Sequence, residues 1–177
     1  ARVEVYLASA AGLLSWCGKW RKIPTPLAHP TLLAACGADV ALADSVNRLL
    51  YRQGRVSTLP PGVEVLRCWR NQLLTLSSET NCLTLYDAHD YPLVTSPAGI
   101  RPCDCAIVDC QVIVCGCEDG CLHIFSLPDL REIAAYPVPG CPMRVAADGR
   151  VLTCLSLLSP DPPQTLLFRL CLTSGDF

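Results

Sequence analysis

The chain is short of most features that announce a chemistry. Its charge is nearly balanced, with 14 Lys and Arg against 16 Asp and Glu, for a formal net charge of −2. That balance offers no electrostatic basis for nucleic-acid binding or for an anionic membrane surface. No apolar run approaches the roughly 20 residues of a bilayer-spanning helix. The longest runs are strand-sized and broken by Gly, Asp or Pro. There is no Gly-x-Ser-x-Gly elbow, phosphate-cradling Gly loop or dinucleotide fingerprint. The 3 histidines, His29, His89 and His123, form no His-x-x-x-His pair, so none is expected to bind metal or act in catalysis. No initiator Met and no basic-then-apolar leader open the chain. The expectation is a trimmed chain, with processing or trimming as two routes to a lost signal peptide.

What the sequence does have is hydrophobic material and repetition. Hydrophobic residues make up 51% of 177 and charged residues 17%, which implies one domain with a well-buried, strand-rich core. Cys103-Asp104-Cys105-Ala106-Ile107-Val108 and Gln111-Val112-Ile113-Val114-Cys115-Gly116 read as two strands around a tight turn. Glu118-Asp119-Gly120 then turns into Cys121-Leu122-His123-Ile124-Phe125. The same series begins again at Met143-Arg144-Val145, about 39 residues on, and such a period marks one supersecondary unit stacked many times. Upstream copies include Leu66–Ser77 followed by Asn81–Asp87, and Leu32–Ala43 followed by Asn47–Tyr51. Taking Val5, Ala41, Leu74, Ile113 and Leu152 as equivalent, the chain opens partway into a first copy that lacks its initial strand.

Alternation places Val112, Val114 and Gly116 on one face and Ile113, Cys115 and Cys117 on the other. Near-continuous apolar runs indicate strands covered on both faces. The 15 prolines cluster between copies, where no ladder hydrogen bond is lost. Thr31–Ala43 is the best helical candidate, but Gly37 interrupts it and it aligns with strands elsewhere. A radial array of such hairpins covers both faces of every sheet, and the polar capping ends of a solenoid are missing from the sequence.

Two segments carry a family resemblance. Tyr136-Pro137-Val138-Pro139-Gly140-Cys141-Pro142-Met143-Arg144-Val145, with Asp148-Gly149 beyond it, resembles the linker between blades of YVTN-type β-propellers. Glu118-Asp119-Gly120-Cys121-Leu122-His123-Ile124-Phe125 resembles the turn and third strand of those repeats and of related WD40-like ones. The Gly-His and Trp-Asp pairs of strict WD40 repeats are lacking. The resemblance implies an all-β propeller of antiparallel blades, four to five of them, forming a small ring or part of one. It divides a single domain, 1–177, into repeats at about 1–30, 31–62, 63–101, 102–140 and 141–177.

Two constellations invite a chemical reading. The 13 cysteines include Cys103, Cys105, Cys110, Cys115, Cys117 and Cys121. Cys-x-Cys on a strand points both sulfurs the same way, about 6–7 Å apart, a poor spacing for one metal. Mostly reduced, buried thiols acting as small apolar side chains are the favoured reading, with a metal or one or more disulfides as alternatives. Reduced thiols imply a cytoplasmic location. Some propeller lactonases hold a divalent cation with channel carboxylates, and Asp104 has the matching inner-strand place, but the other copies repeat no such acid. Surface candidates for binding are Trp16, Lys19, Trp20 and Arg21 in one segment, and Trp69 and Arg70 in another, aromatic anchors beside cations.

The expected function is a noncatalytic platform for a protein or peptide, with no catalytic residue, metal or cofactor. Self-association through open blade edges is a further expectation, and nucleic acid and membrane are excluded as partners. The alternatives are a metal-dependent lactonase-type hydrolase and an assembly subunit that completes a ring with a second chain.

Overall fold

Eighteen strands and no helix make up the described part of the computed structural model, which covers residues 5–9, 12–16, 19–36, 39–99, 101–116 and 118–172. They form five antiparallel meanders. Sheet 1 is β1 (Val5–Ser9), β2 (Gly12–Trp16) and β3 (Trp20–Ile23). Sheet 2 is β4 (Leu32–Cys36), β5 (Asp39–Asp44), β6 (Leu49–Arg52) and β7 (Arg55–Thr58). Sheet 3 is β8 (Val63–Trp69), β9 (Gln72–Ser77), β10 (Cys82–Tyr86) and β11 (Pro92–Pro97). Sheet 4 is β12 (Pro102–Val108), β13 (Gln111–Gly116), β14 (Cys121–Ser126) and β15 (Glu132–Pro137). Sheet 5 is β16 (Cys141–Asp148), β17 (Val151–Pro160) and β18 (Pro163–Cys171).

The sheets stack face to face. β1 packs on β4, β4 on β8, β8 on β12 and β12 on β16, so the first strands line one side of the array, as in a propeller. No strand of sheet 5 packs on sheet 1 in this way among the described residues.

Second strands supply most of the core because they have neighbours on both faces. Leu73 packs toward sheet 2 with Ala41, Leu50 and Leu66, while Leu74 packs toward sheet 4 with Val112, Val114 and Phe125. Ile113 and Cys115 turn the other way, onto Leu152 and Cys154 of sheet 5. The predicted alternation of Val112 and Val114 against Ile113 and Cys115 is the observed one, and Cys117 lies outside the described residues. The predicted strands within Thr31–Ala43 are β4 and β5, paired Leu32↔Ala43.

The first copy differs from its expected register. Val5 lies on β1, the first strand of its sheet, whereas Ala41, Leu74, Ile113 and Leu152 all lie on second strands. Two residues separate β1 from β2, as they do each other first and second strand. Short connections with similar spacing on both sides of a hairpin leave its frame ambiguous in sequence. Contact between β1 and β4 resolves it.

A backbone clasp repeats without a residue signature. The last residue of the second turn is left-handed in three sheets: Arg48 (φ 57), Asn81 (φ 53) and Gly120 (φ 68). Its carbonyl accepts the N–H of the residue that leaves the fourth strand: Leu59 to Arg48 at 2.8 Å, Ala98 to Asn81 at 2.8 Å and Val138 to Gly120 at 3.0 Å. The first turns likewise hold a left-handed Arg70, Asp109 or Gly149.

At Gly120 a Cβ would also stand 3.1 Å from the Gly140 carbonyl oxygen. Gly120→Ala is therefore expected to lower stability by about 1–2 kcal/mol, the cost of forcing a side chain into the left-handed region. Urea unfolding followed by circular dichroism checks this.

Candidate functional site

Candidate sites lie on the side of the array lined by first strands, at the turns at its two ends, and on its terminal faces. Along the first strands, a cavity of about 240 Å³ is bordered by Leu33, Glu64, Arg67, Cys103, Asp104 and Arg144. Asp104 is buried there, and its oxygens are already committed. Oδ1 accepts Arg67 Nη2 at 2.9 Å and the Cys105 N–H at 2.9 Å, and Oδ2 accepts the Val145 N–H at 3.0 Å. One carboxylate thus ties β8, β12 and β16 together. Arg67 also donates through Nε to the Cys105 carbonyl at 2.8 Å. Arg144 donates to the Met143 carbonyl at 2.8 Å and reaches the Cys103 carbonyl at 3.4 Å.

No group of three or more His, Cys, Asp or Glu side chains is gathered for a metal ion among the described residues. Three of the free cysteines serve the core instead, while Cys110 and Cys171 are exposed. Cys105, Cys115 and Cys154 are fully buried, and burial pushes the Cys105 thiol up to about 12. Cys68 departs from the expected thiol state, because it is disulfide-bonded.

His123 is the most strongly held ionisable ring. Its Nδ1 lies 2.7 Å from Glu132 Oε1 and its Nε2 2.7 Å from Asp119 Oδ2. Burial alone lowers the imidazole pKa, but the hydrogen bonds and charges of Glu132 and Asp119 outweigh it and the net shift is upward. The ring closes over Gly99 and Gly116, where a Cβ would meet Nε2 at 3.3 and 2.9 Å. It clamps the second turn of sheet 4 to its fourth strand, the same two parts that the backbone clasp joins. Alternation in β14 revealed its place on the strand. The two carboxylates came from a turn and a fourth strand whose register the sequence did not specify.

The aromatic and basic candidates divide between opposite ends of the sheets. Trp16 ends β2 and Trp20 begins β3, so both stand at the second-turn end, with ring centroids 5.3 Å apart and planes tilted by 55°. They are 38% and 51% exposed. Lys19 precedes β3 and Arg21 lies on it opposite Ser15, and both are exposed. Trp69 ends β8 at the first-turn end. It is buried, and its Nε1–H donates to the Asp109 carbonyl of sheet 4 at 3.0 Å. Arg70 stacks on it, with Cζ 4.5 Å from the ring centroid. Trp69 joins two sheets, with Arg70 stacked on it, while Trp16 and Trp20 face outward.

Trp16 and Trp20 belong to a wider uncovered face. Leu13 and Ser15 of β2 are buried toward sheet 2, whereas Leu7, Leu14 and Trp16 alternate onto the far side, exposed or half-buried. Sheet 5 mirrors this pattern. Leu152, Cys154 and Ser156 of β17 are buried, but Val151, Thr153, Leu155 and Leu157 are only half-buried. In β9 and β13 every residue after the first is buried. The two ends therefore carry the side chains of an internal sheet on faces that nothing described covers.

No protein-family model matches the chain, and no curated protein does either. Solved structures do. A catalytically inactive variant of virginiamycin B lyase from Staphylococcus aureus, solved with quinupristin, is 14% identical at a TM-score of 0.69, covering 100% of this chain and 65% of that one. U3-55K is 13% identical at a TM-score of 0.68, covering 86% of this chain and 54% of that one. The computationally designed Ika8 protein is 10% identical at a TM-score of 0.66, covering 85% and 52%. These likenesses establish a propeller-like fold, in a chain that spans about half to two thirds of their lengths.

Two outcomes follow for the polar groups. Asp104→Ala leaves two buried N–H donors unpaired and breaks an ion pair with the partly exposed Arg67. The expected loss is about 2–4 kcal/mol in urea unfolding, with Asp104→Asn intermediate. For His123, a folded-state pKa above the unfolded value gives stability that is complete below about 6.5 and is lost as pH rises through the folded value. The gap in melting temperature between the parent chain and His123→Asn should narrow from about pH 5.5 to 8.5, followed by differential scanning fluorimetry.

Proposed function

We propose that the chain is a noncatalytic scaffold of the YVTN-type or WD40-like propeller class that binds a protein through the uncovered faces of its terminal sheets. The observation that carries this reading is the face of sheet 1, where Leu7, Leu14, Trp16 and Trp20 stand outward beside Lys19 and Lys22. Contiguous apolar surface rimmed by charge is the mark of a protein interface rather than of a solvated sheet. Trp and Arg are also the residue types that dominate interface energetics.

The fold likeness supports the same reading. Five sheets correspond to part of several longer chains, so a partner that adds sheets, or packs on the two ends, would bury what this chain leaves open. The assembly-subunit reading is thereby merged with the platform reading. The lactonase-type reading has no comparable support, because Asp104 spends both oxygens on Arg67 and on backbone N–H groups.

The test places a photo-crosslinking amino acid at position 20 in the full chain in its native cells, with Leu93 on the outer strand β11 as the control position. A discrete protein adduct is expected at position 20 and not at position 93. Trp16→Ser should reduce it by about ten-fold or more, as for the loss of an interface anchor. Equal adducts at both positions, or none at position 20, would sink the reading. Stoichiometric metal in the purified chain, with hydrolytic activity lost on chelation, would favour the lactonase type instead.

A further inference from the structure

The first strands of sheets 3, 4 and 5 break their ladders at the same distance from their first turns. The pairing skips one residue between Val63 and Val65 of β8, between Pro102 and Asp104 of β12, and between Pro142 and Arg144 of β16. The skipped residues, Glu64, Cys103 and Met143, are bulges, and a bulge re-aims the strand around it. β4 pairs with β5 without such a break. All three skipped residues line one hollow of about 480 Å³ on the first-strand side. Glu64 and Cys103 also border the neighbouring cavity of about 240 Å³ that holds Arg67, Asp104 and Arg144. Three consecutive sheets thus give up a ladder position around one polar recess.

Two guanidiniums reach this recess from opposite sides of β12. Arg67 of sheet 3 donates to the Cys105 carbonyl, and Arg144 of sheet 5 reaches the Cys103 carbonyl. Two residues separate those carbonyls, about 7 Å along a strand. A guanidinium has five N–H donors. Arg67 gives three of its own to the Cys105 and Leu66 carbonyls and to Asp104. Arg144 gives only Nη1, to the Met143 and Cys103 carbonyls. Its Nε and Nη2 have no acceptor among the described residues, and no carboxylate there lies within ion-pair distance of it. That edge is the fork that grips a carboxylate through two parallel hydrogen bonds. Because two carbonyls already hold Arg144, little side-chain freedom remains to be lost on binding.

We propose that this recess binds a single carboxylate on an aliphatic stem, gripped side-on by Arg144 and flanked by Arg67. Leu32 and Leu33 of β4 supply an apolar wall for the stem. The chain's own acids leave the place open. Asp104 spends both oxygens on Arg67, Cys105 and Val145. Glu64 accepts the Ser78 hydroxyl at 2.5 Å. As a charge on the same cavity, Glu64 also repels a second negative charge, which sets one carboxylate above a phosphate dianion. The same chemistry belongs to an acidic side chain of a partner protein and to a small free carboxylic acid. The proposal goes beyond the sheet 1 reading and does not rest on it, since Trp16 and Trp20 line neither hollow.

The experiment follows the arginine Nε–H resonances of the full chain by NMR as one probe is added. The probes are butyrate, a short capped peptide with one central glutamate, its glutamine analogue, and inorganic phosphate. Expected is a saturable shift at Arg144 with butyrate and with the glutamate peptide, and none with the glutamine analogue. Arg144→Gln, read at the Arg67 resonance, should weaken both by about ten-fold or more. Arg144→Lys, which keeps the charge without the fork, should lose most of the same affinity, and Arg131→Gln on the outer side should lose none. Phosphate should bind the parent chain more weakly than butyrate, and Glu64→Gln should raise its affinity by about three-fold or more. No saturable shift at Arg144, a shift reproduced by sodium chloride at the same ionic strength, equal binding of the glutamine analogue, unchanged affinity in Arg144→Gln, or a preference for phosphate would overturn the proposal. Tighter binding of the peptide than of butyrate assigns the carboxylate to a protein partner, the reverse order assigns it to a free acid, and either sustains the site. If Arg144→Gln does not fold, the glutamine analogue and Glu64→Gln still decide. The crosslink at position 20 bears on sheet 1 alone, so either reading can fail without the other.

Discussion

The Asp104 carboxylate fixes how three sheets sit on one another. Flat apolar faces attract without direction, so a stack built only from Leu, Val and Ile has little to prevent one sheet from sliding along the next. Asp104 supplies direction. From β12 it takes a guanidinium from sheet 3 and a backbone N–H from sheet 5, and those bonds hold in only one register. Arg52 plays the corresponding part between sheets 2 and 3. Its side chain is completely buried and donates to the Asn71 carbonyl at 2.6 Å and the Asp87 carbonyl at 3.1 Å, with Asp90 at 3.4 Å. Trp69 adds a third link through the Asp109 carbonyl. Apart from the Arg67–Asp104 and Arg52–Asp90 ion pairs, each of these ties joins a side chain on one sheet to backbone on the next, and this limits the freedom of the seam more than a side-chain pair would.

The repeating hairpin was legible because its cause is local. Alternation at Val112 to Cys115, the Asp148-Gly149 turn and the prolines between copies each constrain a few consecutive residues. The inter-sheet ties were not legible, because their partners are some 19 to 41 residues apart and differ from one sheet to the next. Asp104 looked like a candidate channel carboxylate on its inner strand, and only the position of Val145 and Arg67 shows that both of its oxygens already accept hydrogen bonds. The backbone clasp was hidden for another reason. Arg48, Asn81 and Gly120 share a left-handed conformation, not a residue type, so only the glycine marked the position in sequence.

The binding candidates show where sequence reasoning loses direction. Trp16 and Trp69 each lie beside basic residues at a strand end, and nothing in either segment says which end. Strand order decides it: a residue that closes a first strand and one that closes a second strand stand at opposite ends of their sheets. Depth then separates them further. Trp69 is capped by Arg70 and held by sheet 4, so its surroundings are structural, while sheet 1 has no neighbour beyond Trp16 and Trp20 in the described array.

Burial periodicity is what links this fold to a function. An interior sheet has apolar side chains on both faces and hides both, as β9 and β13 do. A sheet that is meant to face water keeps polar residues on its outer side. β2 and β17 do neither: their sequences are those of interior strands, and their burial alternates as in a half-covered one. The two terminal sheets thus carry interior-type side chains on faces that none of the described residues covers. Exposed apolar faces are costly for a protein in water. The proposed binding reading rests on this periodicity, since the apolar area that β2 and β17 leave open is the kind that a protein surface covers.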